Sequence, residues 1–202
     1  MSCEIEDLEI HKGKTFTRVI RWETTPFVYK AITGITKAGP AVVTATGHGV
    51  PNGWRVAIVS AGGMREINAK HSPPRPSEFH RATVLTSSTL ELNEVNSTDF
   101  TTYTSGGYVQ YYTPVDLSGY TARMTIRDQV GGTSLLSLTT EVGNLRIALD
   151  NTAKTITLTI SATDTALATW SEGVYDLEMV SAGSVVTEIL AGTIKALDEV
   201  TT

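Results

Sequence analysis

Cysteine is nearly absent from this chain: Cys3 is the single thiol among 202 residues. An intrachain disulfide therefore cannot form, and a thiolate zinc site has no ligand set. Long apolar runs are missing as well. No stretch approaches the roughly 20 residues that a membrane-spanning helix needs. Residues 1–7 open acidic, without a basic segment ahead of an apolar core, so the expectation is a chain with no secretory signal, made and folded in a cytoplasm. Charge is sparse, at 18% of residues, and the net value of −5 argues against a nucleic-acid scaffold. Hydrophobic residues still reach 41%, enough for a core and too many for a disordered chain.

What is abundant is alternation. Tyr120, Ala122, Met124 and Ile126 share one parity, and Thr121, Arg123, Thr125 and Arg127 the other. This period of two is the mark of a half-buried strand. Residues 155–160 repeat it with threonines on the wet side, and 173–179 repeat it with Tyr175, Leu177 and Met179 inward. Segments 185–190 and 192–197 read as two closing strands after a Ser-Ala-Gly-Ser turn, and 16–22 as a further strand. One helix is predicted. Ser161 and Asp164 form a capping-box pattern, Leu167 and Trp170 supply apolar residues at i and i+3, and Glu172-Gly173 end it.

The middle of the chain differs. Residues 31–112 carry six Lys and Arg against five Asp and Glu, so the net negative charge lies outside them, and three of the four histidines lie inside them. Five short strand candidates (33–36, 41–45, 54–60, 82–86 and 89–92) are divided by Gly-, Asn- and Pro-rich turns, which suggests a small barrel or sandwich. The expected architecture is an all-β antiparallel sandwich or barrel host domain with one short helix, residues 1–30 plus 108–202. It is interrupted at a loop by a small β-barrel-like domain, residues 31–107. Such insertions are tolerated because closure cost grows only logarithmically with length.

Two resemblances bear on this organisation. Residues 116–127 (DLSGYTARMTIR), 135–140, 156–162, 173–178 (GVYDLE) and 190–194 follow an order that resembles the N-terminal domain of the baseplate upper protein of lactococcal siphophages. In the middle segment, residues 43–50 (VTATGHGV), 52–56, 62–68 (GGMREIN), 89–92 and 103–107 are similar to the first catalytic-cysteine half-domain of ubiquitin-activating enzymes, a module that also occurs in phage tail proteins. Residues 70–80 depart from that pattern, with Ser72-Pro73-Pro74-Arg75-Pro76 in place of a strand, and read as a projecting loop. The half-domain's name brings no activity with it, because Cys3 lies outside the matched segment. The resemblances imply a virion structural protein of a bacteriophage tail or baseplate, assembled in the host bacterial cytoplasm. Its partners would be copies of itself in a symmetric ring and other virion proteins, with no nucleic acid, membrane or cofactor. A capsid decoration or neck protein and a host-surface glycan-binding module remain alternatives.

Catalytic constellations are weak. His48, His71 and His80 fit no standard zinc spacing, and His48 sits between two glycines as a turn residue. No Gly-x-Ser-x-Gly elbow is present. Asp176 and Glu178 share a strand face roughly 6–7 Å apart, as any i, i+2 pair does, and could meet Arg123 or Arg127 across strands. The Gly-rich turns at 62–63, 106–107 and 131–132 do not precede helices, so they read as hairpin turns rather than a phosphate cradle. No catalytic or metal residue is therefore expected. The candidate contact residues are aromatic or lie on the proline loop: Trp54, Tyr108, Tyr111, Tyr112, Pro73, Pro74 and Arg75. The run Tyr108-Val109-Gln110-Tyr111-Tyr112 has apolar residues on both parities, so either its own fold or a neighbouring subunit buries both faces.

Overall fold

The computed structural model describes residues 4–199, and Cys3 lies outside the described residues. The fold is all-β with one short α-helix. In chain order the strands are β1 (Glu4–Ile5), β2 (Leu8–His11), β3 (Phe16–Ile20), β4 (Glu23–Ala31), β5 (Gly34–Ile35), β6 (Ala41–Thr44), β7 (Arg55–Val59), β8 (His80–Thr86) and β9 (Thr89–Leu92). Then come β10 (Tyr108–Pro114), β11 (Thr121–Arg127), β12 (Ser134–Thr139), β13 (Ile147–Asp150), β14 (Thr155–Ile160), helix α1 (Ala162–Ala166), β15 (Glu172–Val180) and β16 (Val186–Leu197). Two compact units result: residues 4–22 with 116–199, and Glu23–Val115. Among the described residues no helix is long and apolar enough to cross a membrane.

The first unit is built on the alternation in its sequence. β11 buries Ala122, Met124 and Ile126, β14 buries Ile156, Leu158 and Ile160, and β15 buries Tyr175, Leu177 and Met179. One sheet runs β1-β16-β15-β11-β12, with β2 also on β16, and a second runs β13-β14-β3. Met124 pairs with Leu177 on one side and Leu138 on the other, so the buried row crosses three strands in register. Each such aliphatic side chain contributes about 1.5–3 kcal/mol by leaving water. At the end of this unit's first segment Trp22 meets the ring of Tyr120 edge-on at 5.5 Å.

Two local expectations change. The helix stops after Ala166, well short of Glu172, which opens β15 instead. Ser161 does cap it, accepting the Asp164 amide hydrogen at 3.1 Å, but Leu167 is 73% exposed. With Leu167 facing solvent, extending the helix past Ala166 would gain little apolar burial to support it. The two closing strands are one continuous strand, β16, running through Gly192. A Cβ at Gly192 would overlap the Glu6 carbonyl oxygen. Its absence lets the N-terminal chain lie against β16, with the Glu6 amide donating to Ala191 O at 3.0 Å and Tyr175 Oη–H donating to Glu6 O at 2.7 Å. Glycine here serves close backbone approach, not a break.

The second unit follows the path β4-β10-β7-β8-β9-β6-β5, and no sheet among the described residues closes on itself, so the barrel-like insertion is an open ladder. All five strand candidates of the middle segment are present, as β5 to β9. Their buried sides, with Trp54, Ile58, Leu90, Leu92, Val109 and Tyr111, form one core. The unit boundaries fall after Trp22 and after Val115, outside the positions 30 and 107 read from the sequence. The cause is pairing: β10 runs antiparallel to β4 from Tyr108↔Ala31 to Pro114↔Glu23 and also joins β7 at Tyr108↔Val59. Both flanking segments are therefore hydrogen-bonded into the second unit.

Candidate functional site

Strand β10 explains the aromatic run with apolar residues on both parities. Val109 and Tyr111 face the core of the second unit, whereas Tyr108, Gln110 and Tyr112 face outward. Tyr111 donates from its hydroxyl to His48 O at 2.6 Å, and burial pushes its phenol above the ordinary value. Trp54 is fully buried and donates its indole N–H to Tyr112 O at 3.2 Å. Trp54 and Tyr111 are thus core residues rather than contact residues. The parity of a strand tells which residues share a face, and only the pairing tells which face is covered.

On the outward face, Gln110 stands opposite Tyr29 of β4 on one side and Ala57 of β7 on the other. Tyr29 and Tyr108 are both exposed and meet edge to face at 6.2 Å. Further along, Tyr112 packs on Phe27 at 4.4 Å and stacks with Phe79 at 5.6 Å. The Arg55 guanidinium lies 5.3 Å from the Tyr112 centroid and is ion-paired with Glu23. Such a cation–π contact is worth about 0.5–1 kcal/mol at an exposed site. Phe27, Phe79 and Arg55 thus cover Tyr112, whereas Tyr29 and Tyr108 stay exposed and Gln110 beside them is buried.

The loop at residues 70–80 is ordered by one carboxylate. Glu78 accepts the Lys70 amide at 2.7 Å, the Arg75 amide at 2.8 Å and His71 Nδ1–H at 3.0 Å. The Arg75 amide, then His71, then the Lys70 amide hold the carboxyl down to about 2, against desolvation that raises it. Pro74 is buried beneath the loop, while Pro73 and Arg75 are exposed. The segment Ala69-Lys70-His71 separates two clefts. One, of about 580 Å³, is lined by Glu66, Arg75, Glu78, His80, Glu94 and Phe100 among others. The other, of about 610 Å³, lies over Gln110, between Tyr29 and Tyr108, Val59 and Ser60, and Lys70 to Ser72.

The remaining sequence candidates are dispersed. His48 is buried, with Nδ1 accepting the Val50 amide at 3.0 Å and Nε2 bonded to Thr86 O at 2.9 Å, which ties the ring into a turn. Burial pushes His80 below the usual imidazole value, and Glu94 opposes that. Among the described residues no three His, Cys, Asp or Glu side chains are grouped to hold a metal. Glu178 is ion-paired with its register partner Arg123 at 2.6 Å. Arg127 instead donates to Gly132 O at 2.7 Å. Asp176 is half-buried, and desolvation, then the charges of Glu178 and Glu188, raise its carboxyl.

Sequence reasoning named Tyr108, Tyr111 and Tyr112 as contact candidates, carried Gln110 only as a member of their run, and did not single out Tyr29 or Glu78. The signals were present: Gln110 interrupts an otherwise aromatic parity, and Glu78 follows Arg75 at the three-residue spacing of a capping carboxylate. No protein-family model matches the chain, and no curated protein matches it.

Proposed function

We propose that this chain is a structural component of a bacteriophage virion, in the tail or baseplate, that works by assembly with copies of itself and with neighbouring virion proteins. The observation that carries the reading is where the baseplate-like segments fall. Residues 116–127, 156–162, 173–178 and 190–194 occupy β11, β14 with the start of α1, β15 and β16, all within the first unit. The second unit is carried between β3 and β11.

In this role, activity comes from surface complementarity. A ring of identical subunits forms when one face of each copy fits another face of the next and the rotation closes. The test is genetic and structural. Deleting the coding sequence from the encoding phage should give particles with incomplete tails, and gold-labelled antibody should mark the tail of intact virions. Complete, infectious particles without the chain would overturn the proposal, as would turnover of a substrate by the purified chain.

A further inference from the structure

We draw no further inference here: the strongest candidate, the surface patch of Tyr29 and Tyr108 along the outermost strand β4 of the second unit, is exposed, and nothing in the structure shows what covers it.

Discussion

If the two units fold as separate bodies, the second should act on the stability of the first only through chain connection, and the size of that effect is calculable. Glu23 and Pro114 are register partners at the ends of β4 and β10. A folded second unit therefore presents its two ends as neighbours, and the first unit closes over what amounts to a short connection. When the second unit unfolds, the same connection becomes about 90 residues of flexible chain. Each doubling of loop length costs about 0.6 kcal/mol, and going from about 3 to about 90 residues is about five doublings, so the first unit should lose about 3 kcal/mol. Leu90→Ala is the perturbation: the side chain is fully buried, and its truncation costs about 2–5 kcal/mol locally. Hydrogen exchange of peptides from β7 to β9 and from β11 and β15, followed across a urea series, reads both units at once. The β7–β9 peptides should open first and the β11 and β15 peptides should then weaken by no more than about 3 kcal/mol. A chain joining Trp22 to Asp116 through Gly-Ser should keep β11 and β15 protected. An unfolded product of that excision, or β11 and β15 opening in step with β7–β9 in the Leu90→Ala chain, would refute the reasoning.

Tyr111→Phe removes the donor to His48 O and leaves that carbonyl buried without it, so the stability of the second unit should fall by about 1–3 kcal/mol, read as a lower urea midpoint with an unchanged slope. The Glu78 carboxyl is held at about 2 in the folded loop against an ordinary value of 4.5, so its bonds support the loop fully above the ordinary value and are lost as pH falls through about 2. The Arg75 amide resonance should titrate near that lower value, and a midpoint near 4.5 would contradict the arrangement. Asp176 has the opposite sign: its raised carboxyl means the charged form opposes folding above the ordinary value of 3.8. Asp176→Asn should accordingly raise the melting temperature at pH 7 and lose that gain on acidification; an equal gain at pH 3 would refute it. Gly192→Ala pushes a Cβ into the Glu6 carbonyl, so amides of β1 and β2 should lose exchange protection while β11 keeps its own. Unchanged protection across residues 4–11 would show that the close approach is dispensable.

The strands were legible because a half-buried strand writes its burial at every second position. Ala122, Met124 and Ile126, or Ile156, Leu158 and Ile160, need no partner to be recognised. The unit boundary was not legible, because β4 carries Pro26 and no clean alternation, and its partner β10 lies far along the chain. Pairing across that separation is a property of the whole fold. Gly192 misled for a related reason: a glycine in a strand reads as an interruption until the backbone that approaches it is known. Of the candidate contact residues, Tyr108, Pro73 and Arg75 are exposed, whereas Trp54, Tyr111 and Pro74 are buried. Residue type alone does not separate an aromatic that fills a core from one that faces a partner.

Gln110 sits on β10 between Tyr29 of β4 and Ala57 of β7. Along the outward parity of β10, Tyr112 is covered by Phe27, Phe79 and Arg55, and Tyr108 stands open. Gln110 lies at the changeover, buried beside a tyrosine and an alanine, where a leucine of similar size would satisfy packing with no polar atom to desolvate. Keeping an amide there costs about 1–3 kcal/mol while its donor is unmade. The opposing parity supports the contrast: Tyr111, equally buried, has its one polar group answered by His48 O at 2.6 Å. The same strand thus holds one buried polar group answered by the fold and one enclosed without a hydrogen-bond partner.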